Sequence, residues 1–305
     1  MKKYNVFISI LVIYFIVNMI LFPKIYIDAT FRGVSAWALS VLPSVLPFMF
    51  FTKVLSACGS TTAFSKVFSY PCKKLWNCPS ASSFVFFTSI ISGYPVGAAM
   101  TADLYQCGKI SKTEAFRMCS FCSTSGPMFI LGAVGVSMLG SAKFGYIILI
   151  AHILGAAFNG LLYRNIHATS QDKPQNIVHA SNVSLSSIIQ ESVLSILSVG
   201  AIIAIFFVVI TAFSPIFNLF PPQISCLLEG MVEITKGCSS IASHLSGLWA
   251  VLAATFIISF GGISTILQSI TMLAKIKMPI KLFVLQRFTH ALLSSVFAFL
   301  LFILL

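Results

Sequence analysis

The stretch Ser92-Gly93-Tyr94-Pro95-Val96-Gly97-Ala98 closes an apolar run that begins at Phe84. Pro95 removes a backbone donor and disfavours helical geometry at Tyr94, while the two glycines permit turns and close approach. Non-helical backbone at membrane depth persists only where it is buried in protein or lines a wet cavity. Discontinuous membrane helices of this kind are typical of substrate sites in secondary transporters. The alternative is a helix that ends in an ordinary Gly/Pro turn at the membrane interface.

The composition is that of an integral membrane protein. Of the 305 residues, 58% are hydrophobic and 9% are charged, and the mean hydropathy is +0.98. A soluble domain carries about 25% charged residues. The net charge of +12 comes from 19 basic and 7 acidic residues. The basic residues lie in short loops between apolar runs, which is the topogenic pattern of membrane proteins and argues against a nucleic-acid partner. The same surplus would also attract an anionic solute.

The apolar runs predict an all-α polytopic fold with seven full spans and two re-entrant hairpins. Residues 1–33 form a first span, Tyr4–Phe22, and a short outer loop. Lys2 and Lys3 place the N-terminus in the cytoplasm, and no small-residue cleavage site follows the first run. We therefore expect a multi-pass protein of the cell (inner) membrane.

The chain divides near its middle at a hydrophilic linker, residues 164–183. Residues 34–163 and 184–305 show the same order of features: a Ser/Leu/Val-rich span, an interrupted segment, a break of small residues and a span with a histidine. Loop charges orient the two parts oppositely, which predicts an inverted repeat with broken helices, as in many secondary transporters. Chance similarity among apolar runs is the alternative.

The broken segments provide the candidate solute site, because hydroxyls and open backbone groups can bind a polar molecule. A half-helix that starts at a break directs its positive dipole end at an anionic group. The residues that we expect to bind the solute are Ser92, Gly93, Tyr94, Pro95, Gly97, Ser123, Ser125, Gly126, Pro127, Glu233, Gly261, Gly262, Ser264 and Gln268.

Acidic residues at membrane depth are costly and usually functional. Glu229 and Glu233 are four residues apart, so they share one face of a helix and could couple transport to a proton or Na⁺. Asp103 is a third candidate for ion coupling. For all three, a solvent-exposed surface helix is the alternative. His152 and His290 are read as buried hydrogen-bonding residues or as site residues, and Arg287 as either a site residue or a topogenic charge.

The sequence contains no signature of an enzyme. It has no Walker A loop, no H-E-x-x-H and no G-x-S-x-G, and seven acids are few for a hydrolytic site. Cys119 and Cys122 form a C-x-x-C without a second pair, so the eight cysteines predict no metal site and no cofactor. The expected partners are a small-molecule solute and the lipid bilayer. The sequence leaves open whether the protein forms a homo-oligomer.

Four segments together resemble a known family: SGYPVGA at 92–98, SGPMFILGAV at 125–134, EITKG at 233–237 and SFGGISTILQ at 259–268. They are similar to the YlbJ-like sporulation integral membrane proteins, which carry nucleoside-recognition, or Gate, domains. The resemblance extends from about Leu39 to Leu301. It implies a polytopic inner-membrane transporter of a small, anionic metabolite, either dipicolinate-like or nucleoside-like, with a role in spore formation. A membrane component that assembles the envelope or spore without transporting anything is the second hypothesis.

Overall fold

The protein is described by a computed structural model over residues 2–57, 69–167 and 184–305. In these ranges the regular structure is helical and contains no β-strand, which confirms the predicted all-α membrane fold. Residues 58–68, and residues 168–183 of the predicted linker, lie outside the described residues. Among the described residues, five helices are long and apolar enough to cross a bilayer: Pro23–Phe51, Ala142–Leu162, Leu185–Phe217, Gly247–Ile276 and Ile280–Leu304.

The first three helices all pack against the long helix Leu185–Phe217 of the second half. Helix α1 covers Lys2–Leu21, and α2, Pro23–Ala36, continues through a π-helical stretch into α3, Leu42–Ala57. The predicted outer loop at residues 23–33 is wrong, because this segment is the start of α2. Pro23 occupies a position at the helix start where a missing N–H costs nothing, and Asp28 pairs with Arg32 one turn later at 3.9 Å.

A pair of short helices follows. After the one-and-a-half-turn α4, Ser69–Lys74, come α5, Ala81–Ser92, and α6, Val96–Gln106. Helices of 12 and 11 residues extend about 18 and 17 Å, which is too short for a ~30 Å hydrocarbon core. The two helices pack against each other, as the predicted re-entrant hairpin requires.

The first half ends in a broken helix and a long one. Helix α7, Lys112–Phe121, begins with a capping box, in which Ser111 and Glu114 exchange hydrogen bonds, as the spacing S-x-x-E predicts. A non-helical stretch then leads into a π-helix, Phe129–Met138, and into α8, Ala142–Leu162. The π-helix, at 10 residues, is too short to cross the hydrocarbon core by itself.

The second half repeats the order of long helix, short pair, broken helix and long helix. Its elements are α9 (Leu185–Phe217), α10 (Pro222–Val232), α11 (Ile234–His244), α12 (Gly247–Phe260), α13 (Gly262–Leu273) and α14 (Ile280–Leu304). Helices α10 and α11 pack against each other as α5 and α6 do.

The long helices α8 and α14 form the axis of the fold. Gly155 brings them together, since a Cβ atom there would overlap Ser294 Oγ and lie 2.9 Å from Ser294 Cα. Asn159 then bridges them one turn further along: its Nδ2 donates to Gln286 O at 2.9 Å and its Oδ1 accepts from Thr289 Oγ1 at 2.7 Å. Buried amide and hydroxyl groups are thus paired across the helix–helix contact, which sets its register in lipid.

Candidate functional site

The two breaks of the first half pack directly on each other. Gly93 ends α5 with a φ of +75°, and a Cβ atom there would lie 2.5 Å from Gly126 N. Gly97, in the first turn of α6, lies against Cys122 O so closely that a Cβ atom would overlap the oxygen. Both glycines are therefore required by close backbone approach, and the segments 92–98 and 122–127 form one continuous irregular region.

His152 on α8 connects this region to the break in the second half. Its Nε2 accepts the Ser125 backbone N–H at 2.9 Å, and its Nδ1 lies 2.7 Å from Ser259 Oγ. A backbone N–H can only donate, so the proton of this neutral ring is on Nδ1, which donates to the serine oxygen. The His290 ring is tilted by 39° against the His152 ring, with 4.7 Å between the centroids, and its Nε2 donates to His152 O at 3.0 Å. Both histidines are buried and hydrogen-bonded, and His152 also contacts both breaks.

The break in the second half begins where α12 ends. Gly261 has a φ of +95°, which an L-residue rarely adopts, and it leaves the carbonyls of Ser259 and Phe260 without the next turn of helix. Tyr94 reaches this point from the first half and donates its hydroxyl to Ile258 O at 3.2 Å. The irregular segments of the two halves therefore meet.

Arg287 on α14 occupies the meeting point. Its side chain is 1% exposed, and Nε donates to Phe260 O at 3.1 Å. Nη1 donates to Ser123 O, and Nη2 donates to Ser259 O and to the Tyr94 hydroxyl. The guanidinium carbon lies 5.0 Å from the centre of the Tyr94 ring. One cation thus binds all three irregular segments: the second and third through carbonyl groups at the helix breaks, and the first through the Tyr94 hydroxyl.

Hydrogen bonds place the candidates Tyr94, Ser123 and Ser125 of the first half in this region. In the second half, a Cβ atom at Gly261 would lie 3.7 Å from Arg287 Nε and from the Tyr94 ring. Ser123, Ser125, Gly261, Gly262 and Ser264 are buried, and Ser92, Pro95, Gly126, Pro127 and Gln268 are partly exposed. The hydroxyls of Ser123 and Ser264 are buried without a hydrogen-bond partner among the described residues. A buried hydroxyl without a partner costs about 1–3 kcal/mol, so these two groups are open to a ligand.

The acidic candidates occupy three different environments. Glu233 is 3% exposed and caps α11 by accepting Lys236 N–H at 2.7 Å. Glu229 forms an ion pair with Lys236 Nζ at 3.1 Å and also accepts from Ser240 Oγ, which pins α10 to α11. The Asp103 carboxylate is 62% exposed and lies 3.4 Å from Lys275 Nζ. Of these three acids, Glu233 alone is buried beside a break.

The cysteines pack as apolar side chains. Six of the seven described cysteines are buried, and Cys107 is partly exposed. Burial raises the pKa of the Cys72 and Cys78 thiols in the segment before α5, which keeps them in the unreactive thiol form. In the described part of the chain no cluster of His, Cys, Asp or Glu has the arrangement of a metal site.

The central position of Arg287 in the site was not predicted from the sequence. Its position at the start of the last span suggested a topogenic charge. The groups that it binds belong to residues far away in the sequence. The available signal was an arginine seven residues inside an apolar helix, one turn before a histidine.

Comparison with known proteins supports this architecture. The family model Gate, described as nucleoside recognition, matches residues 38–142. The sporulation integral membrane protein YlbJ of Bacillus subtilis (strain 168) is 28% identical over 319 residues, which cover 92% of this chain and 78% of that protein. The predicted resemblance to these proteins is confirmed.

Solved structures of the nucleoside transporter CNTnw share the fold. A double variant in an outward-facing state superposes with a TM-score of 0.63 at 17% identity, covering 100% of this chain and 85% of that one. The inward-facing, substrate-bound structure gives a TM-score of 0.61 at 16% identity, with 100% and 85% coverage. The chain is thus an integral membrane protein with a transporter-like fold.

Proposed function

We propose that the protein is a secondary transporter of a small anionic metabolite in the cell membrane, with its N-terminus in the cytoplasm. The observation that carries the proposal is the meeting of irregular segments from both halves of the chain around one buried cation. In secondary transporters, discontinuous helices meet in this way at the solute site, and the parts move relative to each other to expose it alternately.

The proposed moving parts are two Gate-like repeats, residues 34–163 and 184–305. The hydrogen bonds that join them at the site have hydroxyl or carbonyl oxygens as acceptors. Tyr94 donates to Ile258 O, His152 donates to Ser259 Oγ, and Arg287 donates to carbonyls of both breaks. Such bonds can exchange one partner for another without unfolding a helix. A solute that supplies replacement partners would lower the barrier to this exchange.

The solute is proposed to be anionic because the buried centre of the site is positively charged. The similarity to a sporulation protein favours a spore metabolite such as dipicolinate, which is a dianion. The Gate description suggests a nucleoside-like molecule instead, but a nucleoside carries no charge and fits the positive centre less well. The proposed contacts come from the break residues of both halves, with Ser123 and Ser264 contributing free hydroxyls. A proton or Na⁺ taken up at Glu233 is the proposed coupling ion, and Glu229 and Asp103 are weaker candidates because each already has a lysine partner.

The transporter proposal is tested by flux into proteoliposomes. Gly93→Leu and Gly261→Leu place a side chain at positive φ and against neighbouring atoms in the breaks, so uptake of dipicolinate, nucleosides and dicarboxylates should fall at least tenfold. Gly108→Leu is the matched control, since Gly108 also has positive φ, at +67°, but has no atom within 4 Å of the added Cβ. Unchanged uptake in the two break variants, with normal folding, would contradict the proposal.

A second candidate function follows from the name of the curated relative, which states a sporulation membrane protein and not a transporter. The protein would then assemble with other components during envelope or spore maturation. In that case purified protein moves no solute, and function in the cell survives the break variants but not changes to an exposed surface.

A further inference from the structure

Arg287 carries a full positive charge in the interior of a membrane protein. Arginine does not lose its proton in proteins, so the charge stays. In the part of the chain that the structure describes, no carboxylate lies within ion-pair distance of Arg287, and the described ion pairs elsewhere involve Arg32, Lys236 and Lys275. A buried charge without an opposite charge is strongly destabilising, which makes this position unusual unless an anion completes it.

The existing partners neutralise the charge in part. The Ser123, Ser259 and Phe260 carbonyls follow the C-terminal ends of α7 and α12, where the helix dipoles are negative. Together with the Tyr94 hydroxyl, these acceptors use four of the five guanidinium N–H groups. One N–H of Nη1 is left over, and the unpartnered hydroxyl of Ser123 belongs to the same residue that binds Nη1.

We infer that Arg287 is the residue that recognises the solute, by binding one carboxylate group through its guanidinium. The inference rests on the transporter proposed above and names the specificity-determining residue of that site. The carboxylate takes the open N–H of Nη1 and replaces the Tyr94 hydroxyl on Nη2, giving the two parallel hydrogen bonds, one from each terminal nitrogen, that guanidinium and carboxylate prefer. The Ser123 hydroxyl donates to the same group.

This exchange has a structural consequence. While Arg287 binds the carbonyls of both breaks, it joins the segment 122–127 to the end of α12. A carboxylate that takes over the Nη2 bond to the Tyr94 hydroxyl releases Tyr94 from α14, so binding of the correct solute loosens the contact between the two halves. A neutral solute of the same shape provides no such replacement.

The test compares an acid with its amide. Binding of pyridine-2-carboxylate and pyridine-2-carboxamide to the purified protein is measured by calorimetric titration. The two molecules have the same shape, so a charge-assisted contact should make the acid bind roughly 10- to 100-fold more tightly. Arg287→Gln should remove this preference. Arg117→Gln is the control, because Arg117 also donates to backbone carbonyls, of Asn77 and Ile166, but lies outside the breaks.

Equal binding of acid and amide by the unaltered protein, or no binding of either, overturns the inference. So does an Arg287→Gln protein that retains the preference, which would leave Arg287 a structural link between the breaks. If Arg287→Gln does not fold, Arg287→Lys decides, since it keeps the charge but not the planar pair of donors; it should lose at least several-fold of the preference. Flux is measured separately. Acid-selective binding without flux would contradict the transporter proposal but support carboxylate recognition by Arg287. Flux without acid selectivity would support the transporter and contradict carboxylate recognition by Arg287.

Discussion

At the scale of single residues, Tyr94 is the side chain that connects the break at 92–98 to the second half of the chain. Its hydroxyl donates to Ile258 O and accepts from Arg287, so Tyr94→Phe removes both bonds without changing the ring. We expect the free energy of unfolding to fall by about 1–3 kcal/mol, because a buried carbonyl and a guanidinium N–H lose a partner. Thermal unfolding in detergent, followed by intrinsic fluorescence, measures this change.

The control for Tyr94→Phe is Tyr146→Phe on α8. The Tyr146 side chain is 56% exposed on the outer surface, and its loss of a hydroxyl should leave the unfolding temperature unchanged. Equal effects of the two substitutions would mean that the contacts of Tyr94 with Ile258 and Arg287 do not stabilise the fold.

Single residues were predictable where local chemistry decides their role. Ser111 and Glu114 follow a spacing that satisfies the first N–H groups of any helix, and the capping box is present. The role of Arg287 was not predictable in this way. Its four acceptors come from positions 94, 123, 259 and 260, and no local sequence pattern indicates that these segments converge on α14.

At the scale of helices, the contact of α6 with the end of α7 sets the geometry of the site. Gly97→Ala would place a Cβ atom on Cys122 O, a backbone atom that cannot rotate away, so α6 and the segment 122–127 must separate. We expect a loss of about 1–3 kcal/mol or more in stability and a loss of solute binding. The measurement is thermal unfolding together with the ligand titration described for Arg287.

Gly126→Ala is the matched substitution, because it also adds one methyl group to the irregular region. There the nearest atom to the new Cβ is 3.5 Å away, an ordinary van der Waals distance, and we expect less than about 1 kcal/mol of destabilisation. If Gly97→Ala is tolerated as well as Gly126→Ala, the close packing of α6 on the segment 122–127 is not required for the fold.

Helices were predictable where the hydrophobic pattern and a helix-breaking residue agree. The breaks at 92–98, 122–127 and 261–262 stand at the expected glycines and prolines. The outer loop at residues 23–33 failed for a different reason: Lys24, Asp28 and Arg32 looked like loop charges, but they lie on α2, whose Tyr26, Ala29 and Gly33 pack inward. Three polar residues on an amphipathic helix and three in a loop have the same composition, and tertiary packing decides between them.

At the scale of the whole molecule, the orientation in the membrane can be inferred from the positions of Cys107 and Gly140. Lys143 Nζ, at the start of α8, donates to Leu305 O at 2.9 Å, so the turn at Gly140 and the C-terminal end of α14 lie on one face. The broken helix formed by α7 and the π-helix leads from Cys107 to Gly140. If this broken helix crosses the bilayer, Cys107 and Gly140 are on opposite sides, and the basic residues Lys109 and Lys112 place Cys107 in the cytoplasm.

Cysteine labelling with an impermeant maleimide tests this arrangement in a Cys58→Ser background. The Cys107 side chain is partly exposed, and the other six described cysteines are buried, so label on the parent protein reports position 107. We expect labelling in inside-out vesicles and none in intact cells. Gly140→Cys should show the opposite result, because Gly140 is exposed and has no atom within 4 Å of an added Cβ.

Labelling of Cys107 from outside would mean that α5 and α6 cross the membrane as one broken span instead of returning as a hairpin. Labelling of both positions from the same side would mean that α7 and the π-helix do not cross, and the inverted relation of the two halves would then be lost.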